Sequence, residues 1–290
     1  MRDDERASGP SAEGSPQDGL ATGTRAAACT GLVKIYWTTS GEVNALKGID
    51  AAFAAGRITA IVGPSGSGKS SLLRLLAMID RPTAGRVEVG DRDVSSLSPA
   101  RRRRLRRRLV GYMFQRPADN LVSYLTAAEH LSLAARLRGG TRRQDGDELL
   151  ETLGLGPRRG HLPTQLSGGE QQRLALACAV IGDPPLVVAD EPTAELDTAS
   201  GGTLLEMVGE LKGRGIGFVL STHDPAVVRA ADRVLHLRHG ALEAETHEDR
   251  ALSVIDASGR IQLPPRALRL FPDRRAVIRV EDGGLRITPP

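Results

Sequence analysis

The 290-residue chain reads as an α/β protein built around a nucleotide site, with a small β-rich module after it. Three observations carry that expectation. A short apolar segment, residues 57–62, runs straight into a glycine-rich loop, and helical spacing of Leu72, Leu73, Leu75 and Leu76 follows. Two further apolar runs, 186–189 and 218–221, have the unbroken hydrophobicity of parallel strands buried on both faces. Strands alternating with helices form a sheet whose ligand sits at the carboxyl ends of the strands.

Residues 1–28 are rich in Gly, Ser, Ala, Pro and charge, a composition that cannot bury a core, and are expected to be a disordered tail. The first residues lack a basic start followed by an apolar stretch, so no signal peptide is expected. The ordered domain spans 29–250, beginning near Thr30 with a strand over 31–37 and another from Ala45. Residues 57–62 form the strand before the loop, and 71–79 the helix after it. From Ser98 to about Glu170 the pattern is mostly helical, a helical subdomain. The strands at 186–189 and 218–221 complete the sheet, and 251–290 changes to short strands and turns, a separate module.

Composition narrows the function classes. Hydrophobic residues at 40% and charged residues at 26% are ordinary for a globular protein, while aromatics at 3% leave the core to Leu, Val, Ile and Ala. A net charge of +4 suits work near an anionic membrane surface without requiring it. Cys29 and Cys178 are the only cysteines, too few and too far apart for a disulfide framework or a zinc site, which points to a reducing compartment. No run approaches the roughly 18 apolar residues of a membrane span, so any membrane part belongs to another chain. The expected location is cytoplasmic, peripheral on the inner face of the cell membrane.

The chemistry begins with Gly63, Pro64, Ser65, Gly66, Ser67, Gly68, Lys69 and Ser70, which fit G-x-x-x-x-G-K-[ST]. The glycines let backbone N–H groups turn inward around phosphate oxygens, and the following helix adds its positive end. Lys69 should neutralise the β- and γ-phosphates of a bound nucleotide, and the Ser70 hydroxyl should hold Mg²⁺. A chance glycine-rich turn would lack the strand before it and the helix after it. At 186–191, four apolar residues lead into Asp190 and Glu191. Asp190, at a strand end, binds Mg²⁺, and Glu191 is the general base that polarises water. Taken alone, this is an ordinary acidic strand end; its position after residues 166–173, LSGGEQQR, makes the catalytic reading the stronger.

That octapeptide lies about a hundred residues beyond the phosphate loop, and the set resembles the ATP-binding-cassette ATPases over residues 30–250. The resemblance implies that Tyr36 stacks on adenine, with Trp37 beside it. It implies that Gln115 touches Mg²⁺ and the attacking water and couples the site to a membrane subunit. It makes Asp197, in the sequence AELD, the key acid of a loop crossing a dimer interface, and His223 a contact of the γ-phosphate. Two subunits would pair head to tail, with Ser167, Gly168 and Gly169 of one facing the γ-phosphate held by the other's loop. Ser71 stands where Thr is commoner and keeps a hydroxyl, and AELD is a less usual form of its loop. The expected partners are a separate membrane permease and a second ATPase subunit, identical or closely related. Both half-sites look intact, which favours equivalent sites.

Residues 105–115 and 120–131 resemble the lipoprotein-release, macrolide-export and cell-division branch. Residues 101–108 hold seven arginines in eight positions, read as a solvated basic helix near lipid head groups ahead of a nucleic-acid contact. Residues 254–287 resemble the AbrB-type swapped-hairpin module through the sequence SGRIQLP, which implies dimerisation or regulation first and DNA binding second; a β-rich tail packed on the ATPase is the plain alternative. The rival function is a soluble cassette ATPase with a DNA-linked regulatory role. The absence of heptads between loop and signature disfavours a chromosome-type ATPase, and a single cassette disfavours a ribosome-acting one.

Overall fold

An antiparallel sheet and a mostly parallel sheet share one core around a short helix. The computed structural model describes residues 24–39, 41–140, 143–247, 250–253, 261, 267, 269–271, 275–281 and 284–290. The strands are β1 (Arg25–Thr38), β2 (Gly41–Ala54), β3 (Ile58–Val62), β4 (Ala84–Val89), β5 (Arg92–Asp93), β6 (Val110–Met113), β7 (Leu186–Asp190), β8 (Gly217–Ser221), β9 (Arg233–Arg238), β10 (Ala241–His247), β11 (Arg250–Ser253), β12 (Val277–Glu281) and β13 (Gly284–Thr288). The helices are α1 (Lys69–Leu76), α2 (Pro99–Leu109), α3 (Ala127–Arg138), α4 (Arg143–Thr152), α5 (Gly168–Val180), α6 (Thr198–Lys212) and α7 (Pro225–Ala230).

Among the described residues the large sheet runs β11-β10-β9-β3-β8-β7-β6, and the antiparallel one β2-β1-β4-β5. Strands β9, β3, β8, β7 and β6 are mutually parallel, so their carboxyl ends open on one edge. The period of two decides which core each side chain enters. Leu186, Val188 and Val219 join the core with α1 and the antiparallel sheet, whereas Val187, Ala189, Phe218 and Leu220 join the core with α3, α4, α5 and α6. Burial on both faces is why 186–189 and 218–220 are unbroken apolar runs. Helix α1 is buried through Leu72, Leu73, Leu75 and Leu76, none above 1% exposed, because it has sheet on both sides.

Four boundaries differ from the sequence expectation. Strand β1 begins at Arg25, inside the expected 1–28 tail, because Ala26 and Ala27 are buried in the core and β1 pairs with both β2 and β4. Helix α1 starts at Lys69 and stops at Leu76, and Met78 at φ 54° turns the chain out of the helix before Ile79. The helical stretch after Ser98 is broken by β6, whose four residues are too short to show a period. At the other end, β11 pairs with β10, so the cassette's sheet crosses the expected 250/251 boundary. The SGRIQLP turn lies outside the described residues except Ile261. Cys29 and Cys178 are free, and burial pushes each thiol up to about 12, so both are inert packing groups.

Candidate functional site

The phosphate loop is a backbone device, held in place by its neighbours. Gly68 has φ 106°, and a Cβ there would stand 2.5 Å from the Ala45 carbonyl oxygen. A Cβ on Gly63 would stand 2.0 Å from the Leu237 carbonyl oxygen. Glycine is thus forced twice, once by left-handed conformation and once by close approach to β9. Lys69 Nζ donates to the carbonyls of Gly63 (2.7 Å) and Pro64 (3.2 Å), curling over its own loop. The Ser67 hydroxyl is buried with no partner. A cation on the loop, a buried unpartnered hydroxyl and a glycine-only cradle fit a polyanion such as the ATP phosphates.

Strand register gathers the hydrolytic residues on the same edge. Asp190 stands opposite Ser221 across the β7–β8 ladder, Ile61 opposite Ser221 across β3–β8, and Met113 opposite Ala189 across β6–β7. Gln115 therefore lies two residues past the last paired position of β6, and Glu191 one residue past that of β7. The buried Ser221 hydroxyl donates to Asp190 Oδ1 and accepts from the Glu191 N–H at 3.0 Å. Asp190 is fixed by one oxygen, which leaves the other for a cation. Glu191 has φ 48°, a conformation that costs a non-glycine residue roughly 1–2 kcal/mol. Its carboxylate meets His223 Nδ1 at 2.8 Å; the Glu191 side chain is 16% exposed and that of His223 75%. Carboxylate and imidazole thus stand together at the strand ends, with the imidazole free to swing.

Asn120 holds the turn that carries Gln115. Its side chain accepts from Phe114 N–H (2.8 Å) and donates to the carbonyls of Phe114 (3.2 Å) and Arg116 (2.9 Å), while Gln115 itself is exposed. His130 closes the next turn: Nε2 accepts from Val122 N–H at 2.8 Å, and Nδ1 faces the Thr126 carbonyl at the same distance. Burial lowers the His130 pKa and keeps the ring neutral for that bridging role.

The signature is a helix cap. Ser167 precedes α5, accepts from Glu170 N–H at 3.2 Å, and its own N–H donates to Glu170 Oε2 at 2.8 Å. Arg158 Nε binds Glu170 Oε1 at 2.8 Å and, with the capping bonds, holds the carboxyl down at about 2. With its hydroxyl oxygen engaged in the cap, Ser167 keeps its O–H to donate outward. A Cβ on Gly168 would meet nothing within 4 Å, whereas one on Gly169 would stand 3.0 Å from Ser200 Oγ. Ser200 in turn binds Asp197, the cap of α6, through N–H (2.8 Å) and hydroxyl (3.0 Å). Buried Gln172 donates to Pro192 O at 2.7 Å, tying α5 to the residue after Glu191.

The expected residues thus fall into two groups. The 63–71 loop, Asp190, Glu191, His223 and the Gln115 turn share the strand-end edge. Ser167, Gly168, Gly169 and Asp197 gather at the starts of α5 and α6, with no hydrogen bond to the loop among the described residues. Tyr36 donates to Asp80 at 2.9 Å, and Lys34 covers one ring face at 4.7 Å from its centroid, so one face alone is left for a base. Trp37 is 78% exposed. Sequence reasoning missed Asn120, Arg158 and Ser221 as supports, since each acts through a partner distant in the chain or through a turn.

Comparison with known proteins gives the family. The family model described as ABC transporter matches residues 46–194. The chain is 39% identical over 222 residues to lipoprotein-releasing system ATP-binding protein LolD 2 of Caulobacter vibrioides, covering 75% of this chain and 96% of that one. It is 40% identical over 223 residues to the macrolide export ATP-binding/permease protein MacB of Hyphomonas neptunium, matching 76% of this chain but 34% of that longer protein. Among solved structures, the dimeric post-hydrolysis state of the cassette MJ0796 bound to ADP and Pi superposes with TM-score 0.70 at 32% identity, over 77% of this chain and 99% of that one. The chain therefore belongs to the ATP-binding-cassette transporter ATPases, in the branch that holds LolD and MacB.

Proposed function

We propose that two copies of this chain close head to tail on two ATP molecules and drive a separate permease that releases or exports its cargo at a membrane. The observation that carries this reading is the division of the site. The phosphate loop and hydrolytic residues lie on one edge, and the Ser167–Gly168 cap, with open space over Gly168, makes no hydrogen bond to them among the described residues. Packing inside one chain does not demand glycine at 168; close approach of a second chain's nucleotide does.

In this reading the loop from Gly63 to Ser71 grips the phosphates, with Lys69 turning from its own carbonyls to the β- and γ-oxygens. Tyr36 offers its uncovered face to adenine. Ser70, Asp190 and Gln115 would hold Mg²⁺, which would draw charge from the phosphate oxygens. Glu191 takes the proton of the attacking water, and His223 leaves Glu191 for the γ-phosphate. Ser167, Gly168 and Gly169 of the opposite copy donate from their helix end, and Asp197 crosses the interface.

The permease side has its own support. A groove of about 370 Å³ lies beside the Gln115 turn, lined by Tyr112, Phe114 and Leu137 together with Arg106 and Arg107. Its apolar and basic lining suits a short amphipathic helix from the permease. No described helix is long and apolar enough to cross a membrane.

The test is a pair of variants. Glu191→Gln keeps nucleotide binding and removes the base, so ATP should hold the dimer while turnover falls by about a hundredfold or more. Lys69→Ala should lose nucleotide binding and dimer together. Unchanged hydrolysis in either variant, read by phosphate release and light scattering, overturns the assignments.

A further inference from the structure

We infer that the outward face of α2 is a docking surface for the anionic headgroup layer of a lipid bilayer. The starting point is geometry. At about 100° per residue, Arg101, Arg103, Arg104, Arg107 and Arg108 fall within one arc of about 160°. All five are exposed, whereas Leu105, Leu109, Arg102 and Arg106 turn toward the protein and are half-buried. The helix therefore presents one exposed face whose charged groups are all guanidinium, with Ala100 among them.

Among the described residues, no carboxylate neutralises that face. No ion pair to a carboxylate involves any arginine of 101–108 among the described residues. Asp80, the acid that Arg102 senses, is held by Arg74 at 2.9 and 3.2 Å. Burial, together with Arg81 and Arg106 nearby, lowers the Arg102 pKa, and Arg102 Nη1 is buried without a partner. Like charges four residues apart oppose a helix, and here Arg103 faces Arg107 and Arg104 faces Arg108. Arg101 and Arg102 also sit at the positive end of the helix, where no acidic residue accompanies them. A solvated face normally mixes signs; this one stores repulsion that a layer of anions relieves.

The occupant follows from what adjoins the helix. Arg106 and Arg107 line the groove that exposes Phe114 and Leu137, 44% and 48% exposed. With that groove taken by the permease helix, the α2 face beside it lies on the permease side, where its guanidinium groups complement headgroup phosphates and the arginine stems lie along the surface. The inference rests on the proposed permease partnership, which brings this groove to the membrane side. Nucleic acid is the competing polyanion, and the experiment includes it.

The experiment uses the full chain, without permease, in flotation with phosphatidylglycerol–phosphatidylcholine vesicles and with pure phosphatidylcholine vesicles. The expected result is binding to the anionic vesicles only, weakened as salt is raised. Each basic residue near an anionic surface is worth about fivefold in partition. The variant R101Q/R103Q/R104Q/R108Q, which spares the groove lining, should thus bind at least about tenfold more weakly, with basal ATP hydrolysis unchanged. Equal binding to both vesicle types, equal binding by wild type and variant, or duplex DNA outcompeting anionic vesicles at the same salt overturns the inference. Hydrolysis that persists without vesicle binding sinks this proposal alone; vesicle binding without hydrolysis sinks the catalytic reading and leaves the lipid face standing.

Discussion

Glu191 stands in a left-handed conformation that no glutamate adopts without support, and Ser221 supplies that support from the next strand. One hydroxyl fixes the Glu191 N–H and, through its proton, Asp190 Oδ1. Ser221→Ala should release Asp190 to rotate and leave it a poorer cation ligand. The expected outcome is a raised Mg²⁺ requirement for ATP hydrolysis, by several-fold to tenfold, with little change in fold; a magnesium titration of the rate checks it, and an unchanged requirement refutes it. Glu170 shows a second residue-level dependence. Its folded pKa, about 2, lies below the ordinary 4.5, so its pairing stabilises the fold above pH 4.5 and is lost as pH falls toward 2. Arg158→Ala should therefore lower the melting temperature at pH 7, and the gap from wild type should narrow as the buffer is taken from pH 6 to pH 3. A gap constant across that range would show that Arg158 acts through packing instead.

Between elements, the tie with the most at stake is Arg233 with Glu245. Both side chains are 11% exposed, and the guanidinium meets the carboxylate in a fork at 2.5 and 2.7 Å while also donating to the Ala52 carbonyl. It joins β9 and β10 of the large sheet to β2 of the antiparallel one. Removing one member of a buried pair strands the other's charge, so Glu245→Ala should cost about 3–5 kcal/mol in urea unfolding. A loss under about 1 kcal/mol would mean that water reaches the guanidinium. Such ties explain what the sequence could and could not announce. The α/β class, the phosphate loop, the acidic strand end and the signature are local strings whose spacing is their chemistry, and each falls where it was read. Strand β6 is too short to carry a period, β1 begins among alanines that look like tail until β4 covers them, and β11 continues a sheet that β10 alone would have closed. Asn120, Ser221 and Gln172 matter through partners that only folding brings near.

At the scale of the whole molecule, the C-terminal hairpin poses the remaining physical question. Strands β12 and β13 pair antiparallel with Ile278 opposite Ile287 and Val280 opposite Leu285, so one face is wholly apolar. The other face carries Arg279, Arg286 and Glu281, with Glu281 and Arg286 3.6 Å apart. Ile278, Val280 and Leu285 are 62%, 85% and 62% exposed, and a lone two-stranded hairpin is at best marginal in water. We propose that the hairpins of two copies cover each other, as the resemblance of 254–287 to a swapped-hairpin module implies. Fully burying a side chain of this kind gains about 1.5–3 kcal/mol, and eight such side chains yield roughly 12–24 kcal/mol. Association costs about 4–15 kcal/mol or more, which offsets much of what the contact gains. It then acts as a tether that raises the local concentration of one cassette around the other. Deleting 254–290, which keeps β11 in its sheet, should abolish dimers formed without nucleotide. It should leave hydrolysis at saturating protein unchanged and shift the protein concentration for half-maximal specific activity upward by tenfold or more. Sedimentation without ATP and a rate series over protein concentration measure both effects. A truncated chain that matches the full one in both would leave the hairpin as a tail without a part in assembly.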